Sequence, residues 1–177
     1  MVGIAVRQRA KFEGWLKFEL AARAELHGAQ GVEVEATSTD SGDSRHDVTF
    51  SYAGQRYDVE LKTCNTNWRT EGVLNLTRPI IKNVDAIIVD GKKLGNCAGN
   101  GIAAFCMFPV PCDDNRWTDY LFRIGKKLGV TLSVDRHTSR VSIRLGSASR
   151  ADVIVVAFTV PVPEAPRSAN WAGSTCV

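Results

Sequence analysis

The stretch Asp47–Thr63, DVTFSYAGQRYDVELKT, constrains the fold most. Two runs of alternating apolar and polar residues flank Gly54, the pattern of an antiparallel hairpin. A two-residue type II′ turn over Gly54-Gln55 puts glycine at the first central position, where φ is positive. Counting outward, Ala53 faces Arg56, Thr49 faces Glu60, Val48 faces Leu61 and Asp47 faces Lys62. Val48, Phe50, Val59 and Leu61 then share one face, and Asp47, Thr49, Glu60 and Lys62 share the other.

In that register Asp47 and Glu60 are diagonal neighbours, with Cβ atoms roughly 7 Å apart. Two carboxylates at that spacing can share one Mg²⁺, which takes oxygen ligands and keeps several waters. Lys62 would stand beside the ion, where it can orient a water or neutralise charge on a phosphate. The alternative is a solvated face on which Asp47 and Lys62 form an ordinary cross-strand ion pair.

The first helix bears on that choice. Residues from about Val6 to His27 carry Phe12, Trp15, Leu16, Glu19, Ala22, Arg23 and Leu26 at helical spacings. Glu19 falls inside this stripe, and a buried carboxylate without a partner is costly. A metal on the sheet would supply the partner; so would Arg23, or a place at the stripe's edge. Glu13 and Lys17 read as an exposed i,i+4 pair on another face. The hairpin acids and the inward Glu19 together favour the site.

Beyond the first helix, residues 32–37 read as a strand and "STDSGDS" as a polar loop. Residues 76–95 form a helix entered after Pro79. The apolar run 101–111 is a strand buried on both faces, and residues 115–129 form a helix ended by glycine. "VTLSVDRHTSRVSIRL" reads as a second hairpin and "ADVIVVAFTV" as a last strand. The organisation is one α/β domain over residues 1–160, with a mixed central sheet flanked by helices. A proline-rich tail follows over 161–177.

Composition excludes several classes. With 177 residues, 44% hydrophobic and 23% charged, the chain can bury a real core. No apolar run is long enough for a membrane span. No signal-peptide pattern opens the chain, so a cytoplasmic location is the default expectation. Five cysteines without a C-x-x-C pair, and three histidines without ligand spacing, predict reduced thiols and no soft-metal site. The net charge of +3 is compatible with nucleic acid and far from that of a DNA-coating protein. Glycines in "GKKLG" and "GNCAGNG" lack P-loop spacing.

A helix carrying an acid, then Asp47 on one strand, then Glu60-Leu61-Lys62 on the next, resembles the PD-(D/E)xK nuclease superfamily of restriction-endonuclease-like and repair enzymes. The resemblance covers roughly the first two thirds of the chain. It implies an αβββαβ core with additional C-terminal strands, and a nuclease that hydrolyses phosphodiester bonds of DNA with Mg²⁺ or Mn²⁺. It further implies that Asp47 and Glu60 bind the metal, with the Leu61 carbonyl in the coordination shell. Glu19 would be the assisting helical acid, and Lys62 would place the attacking water. His46 stands where the motif often has proline. A homodimer that cuts both strands is left open, as is a nuclease-like domain without catalysis that serves as a nucleic-acid-binding or protein-interaction module.

After the motif strand, Asn65, Asn67, Trp68 and Arg69 either contact a nucleic-acid backbone and stack on a base, or form a polar loop anchored by one tryptophan. Arg78, Lys82, Lys92, Lys93, Lys126 and Lys127 could bind phosphates but suit solvated helix faces better. Trp117 and Tyr120 are expected in the core. His46 and His137 receive no catalytic role.

Overall fold

The computed structural model describes residues 2–37, 45–75, 79–97, 99–147 and 149–162. The loop at 38–44, the first residues of the helix expected from 76, and nearly all of the proline-rich tail lie outside them. So do Arg78 and Cys176.

The alternating runs do form strands β2 (Val48–Tyr52) and β3 (Gln55–Asn65), paired antiparallel. The register differs from the expected one. Val48 faces Val59 and Tyr52 faces Gln55, so the turn is Ala53-Gly54. Both turn residues have positive φ, 50° and 76°, as a type I′ turn requires. The slip is two residues. Because side chains alternate with period two, both faces keep their members. Val48, Val59 and Leu61 are buried together, with Phe50 packed against them.

Strand β1 (Gln30–Val34) pairs antiparallel with β2 at one edge of the sheet. Helix α3 (Ile81–Leu94) carries the chain to β4 (Asn100–Val110), which lies parallel to β3. Strand β6 (Arg150–Val160) pairs antiparallel with β4, and β5 (Thr138–Arg144) closes the other edge against β6. The six-stranded open sheet is therefore mixed, in the order β1-β2-β3-β4-β6-β5.

Alternate residues of β4 feed two cores. Phe105 and Met107 join Val84, Ile87, Ile88 and Leu94 of α3, and Trp117, Leu121 and Ile124 of helix α4 (Trp117–Leu128). Cys106 and Phe108 join Val6, Leu145, Ala151 and Val153 beneath the N-terminal helices. Burial on both faces explains the unbroken apolar run of β4.

Two expectations fail locally. The N-terminal helix is broken into α1 (Val2–Gln8) and α2 (Glu13–Leu26). Arg9, at φ 52°, turns the chain, and its buried guanidinium donates to the carbonyls of Thr66, Trp68 and Leu74. Residues 130–145 are no hairpin. Val134–His137 form the short helix α5, and β5 takes β6 as its partner. Val130, Leu132 and Val134 of the segment before β5 pack into the core with α4 instead, which leaves β5 as a largely exposed edge strand on β6. Among the described residues no helix is long and apolar enough to cross a membrane.

Candidate metal and acid–lysine site

Pairing between β2 and β3 ends where the Asp47 N–H donates to the Val59 carbonyl. Beyond that point β3 continues with its edge open toward α2. Two carboxylates cap the free amides there. Asp47 Oδ2 accepts from the Leu61 N–H at 2.7 Å, and Glu13 Oε2 accepts from the Thr63 N–H at 3.1 Å. Each capped amide belongs to a strand residue that is itself buried, so an uncapped N–H there would be costly.

Lysines interleave with these acids. Lys17 Nζ lies 2.8 Å from Asp47 Oδ1 and 3.2 Å from Glu35. Lys62 Nζ lies 2.8 Å from Asp90 of α3 and 3.9 Å from Glu13. Glu60, 6% exposed, receives Lys93 Nζ at 3.1 Å and sits 3.3 Å from His46 Nδ1. Four carboxylates (Glu13, Asp47, Glu60 and Asp90) thus face three lysines.

The charges perturb one another. Burial, reinforced by the charge of Asp47, holds the Glu60 carboxyl above the usual glutamate range, although Lys93 pulls the other way. Burial works to lower Lys62, yet its bond to Asp90 and the charges of Glu13, Asp90 and Asp47 outweigh that and raise it. Lys17 follows the same pattern, raised by Asp47 and Glu35 against burial. Lys62 is therefore a firm ammonium. It can donate hydrogen bonds and stabilise negative charge, but it is not a base at neutral pH.

The structure brings Asp47, Glu60, Leu61 and Lys62 together and leaves Glu19 out. The Glu19 side chain is 40% exposed and paired with Arg23 at 3.1 Å. The correction follows from the break at Arg9. Helix α2 begins at Glu13 and packs half-buried Leu16, Leu20 and Ala21 against β2 and β3, while Phe12, just before it, packs on Phe108. That stripe points Trp15, Phe18 and Leu26 toward solvent, with Glu19 on the same side. Glu13 and Lys17, expected to be exposed, flank the stripe and face the cluster, with side chains 24% and 14% exposed. The helical acid at the site is Glu13.

The loop residues divide. Trp68 is 7% exposed, packs on Tyr120 and carries the Arg116 guanidinium 4.8 Å above its ring. It anchors the core and is closed to base stacking. Asn67 and Arg69 are exposed. Asn65 donates to the Arg9 carbonyl and accepts from Asn83, and it lines a cleft of about 490 Å³ with Arg9, Lys11, Thr66, Pro79, Lys82 and Asn83. This cationic cleft opens at the carboxyl ends of the parallel strands β3 and β4, where open α/β sheets bind ligands. Trp117 is buried as expected, and Tyr120 is packed against the same core.

A second grouping was invisible in the sequence. His46, Asp58 and Cys97 each offer a ligand atom within 4.8 Å of the others. They come from the segment before β2, from β3 and from the connection between α3 and β4, so no local spacing could announce them. No family model, curated protein or solved structure matches this chain.

Proposed function

We propose that the chain is a metal-dependent nuclease of PD-(D/E)xK type, acting on phosphodiester bonds of DNA. The observation that carries this reading is the gathering of Asp47, Glu60, Lys62 and Glu13 around β3: Asp47 and Glu13 cap its free amides, and their charges act on Glu60 and Lys62. The element order α2-β1-β2-β3-α3-β4, with an antiparallel meander followed by a parallel crossover, agrees with the core expected of that superfamily.

The donor set fits Mg²⁺ or Mn²⁺. Asp47 and Glu60 are hard oxygen ligands whose mutual repulsion a divalent cation would relieve. They would hold the ion with the Leu61 carbonyl, and Glu13 would assist. The chemistry such an ion supplies when bound is Lewis-acid polarisation of the phosphate and a more acidic water. Lys62, held charged, donates to the attacking water and stabilises charge growing on the phosphate oxygens. Lys11 and Lys82 in the neighbouring cleft would neutralise flanking phosphates.

The test is incubation of the purified chain with supercoiled and single-stranded DNA in Mg²⁺ or Mn²⁺. Cleavage is expected, with loss on chelation and in the double variant Glu60→Ala, Lys62→Ala. Cleavage that persists in either case rejects the mechanism. A second reading rests on the pairing of Asp47 with Lys17 and Glu60 with Lys93, which already neutralises both acids. It makes the chain a nuclease-like binding module. DNA binding without Mg²⁺ or Mn²⁺ uptake and without cleavage selects it.

A further inference from the structure

We propose that His46, Asp58 and Cys97 form a zinc site, distinct in its ligands from the hard-cation site and adjoining it at Glu60. Three facts carry it. First, the donor set is mixed: an imidazole nitrogen, a carboxylate oxygen and a thiol sulfur, all within 4.8 Å of one another. That combination suits Zn²⁺ and is foreign to Mg²⁺. Second, His46 Nε2 lies 3.5 Å from Cys97 Sγ. Zn–N near 2.0–2.1 Å and Zn–S near 2.3 Å give a tetrahedral edge of about 3.6 Å, so these two ligands already stand at coordination spacing.

Third, the histidine is oriented for the task. Its ring is 1% exposed, and Nδ1 is 3.3 Å from Glu60 Oε1. A carboxylate at Nδ1 holds the proton there and leaves the Nε2 lone pair directed at Cys97. This is the carboxylate–histidine arrangement that backs metal ligands. Asp58 is held too. Arg56 donates to Oδ1 at 3.0 Å, and Oδ2 lies where a side chain on Gly99 would intrude at 2.8 Å. The carboxylate is thus fixed, and the glycine leaves it room.

Binding exchanges the thiol proton for the metal: the Cys97 S–H bond breaks, the proton passes to buffer, and a zinc–thiolate bond forms. The S–H contact with the Lys93 carbonyl at 3.5 Å is given up. Three protein ligands leave a fourth position for water. The ion would tie the segment that leads into Asp47 to β3 and to the start of β4. Zinc occupancy would therefore steady Asp47 whether or not the chain cuts DNA.

The experiment uses the full chain, stripped with chelator and dialysed, without DNA. Titration with Zn²⁺ alone should show one high-affinity equivalent. Co²⁺ alone should give a thiolate charge-transfer band. Cys97→Ser and His46→Gln should abolish both, and Cys112→Ser should leave both intact. Glu60→Gln should weaken zinc about 10–100-fold, as expected for loss of a backing carboxylate. Two readouts need no variant. X-ray absorption of the zinc-loaded protein should show one sulfur in the first shell, and Zn²⁺ should slow alkylation of Cys97 in peptide maps. No stoichiometric zinc uptake, a first shell without sulfur, or unchanged Cys97 alkylation overturns the proposal. It leaves a thiol–imidazole–carboxylate hydrogen-bond chain in its place. Failure of DNA cleavage bears on the nuclease reading alone, because none of these readouts involves DNA.

Discussion

The Asp47 carboxylate accepts a hydrogen bond from the Leu61 N–H at 2.7 Å, with its other oxygen on Lys17 at 2.8 Å. One side chain thereby ends the β2–β3 ladder, caps the free edge of β3 and brings negative charge to the site. The two duties separate by substitution. Asp47→Asn keeps an oxygen for Leu61, so stability should change by less than about 1 kcal/mol. Asp47→Ala leaves the Leu61 amide unpaired and Lys17 with Glu35 alone, and should cost about 1–3 kcal/mol. Both should lower DNA cleavage about 10²-fold or more, since each removes the charge. Urea denaturation and a plasmid-nicking assay read the two effects independently. Equal stability of the two variants would contradict the capping role.

Glu13, and not Glu19, is the helical acid at the site. Glu13→Gln should reduce cleavage about tenfold or more, while Glu19→Gln should leave it within twofold, because its exposed pair with Arg23 contributes little. The reverse order in a side-by-side assay would restore the helix orientation expected from sequence.

Glu60 makes stability depend on pH. Its carboxyl is held above its unfolded value, by burial first and by Asp47 second, with Lys93 opposing and His46 and Asp90 nearby. A raised carboxyl favours the folded state only while protonated. That contribution is full below the ordinary glutamate range and disappears as pH rises through the folded value. Glu60→Gln stays neutral throughout. Wild type should therefore lose stability relative to Glu60→Gln as pH rises from acid to neutral. Denaturant midpoints across that range check it, and a difference that does not vary with pH would refute it.

Arg9 is 4% exposed and donates to three carbonyls, those of Thr66, Trp68 and Leu74. Arg9→Met fills similar volume but takes the guanidinium donors from all three, leaving the Trp68 carbonyl only the Thr70 hydroxyl at 3.5 Å. The expected cost is about 3–5 kcal/mol, a large share of a domain's stability. Thermal and urea unfolding followed by circular dichroism would measure it. A loss under about 1 kcal/mol would show that water replaces the guanidinium.

Ala53 occupies a left-handed position in the β2–β3 turn at φ 50°. Asparagine tolerates that conformation better than alanine, and Asn-Gly is the favoured type I′ pair. Ala53→Asn should stabilise by about 0.5–1 kcal/mol. Were the turn at Gly54-Gln55, residue 53 would lie in the strand, and asparagine there would destabilise. The sign of the change thus reports the register.

Much of the scaffold follows from the chain's local chemistry. Alternation around Gly54 sets both faces of the hairpin, and period-two geometry preserves them through a register slip of two. The apolar run of β4 announces a strand covered on both sides, and the glycine at 129, left-handed at φ 69°, ends α4 where its position predicts. Asp47, Glu60 and Lys62 are legible for the same reason, since neighbouring strands turn sequence spacing into spatial spacing. What the tertiary structure decided lies at longer range. A buried guanidinium with partners 57 to 65 residues away breaks the first helix. That break resets which α2 side chains meet the sheet, so Glu13 takes the place that periodicity gave to Glu19. Cys97 meets His46 across 51 residues, through a crossover and a sheet register that no local pattern encodes. Local periodicity fixes faces because it depends only on backbone geometry. Which faces meet depends on where the chain turns, and a single buried charge decided that here.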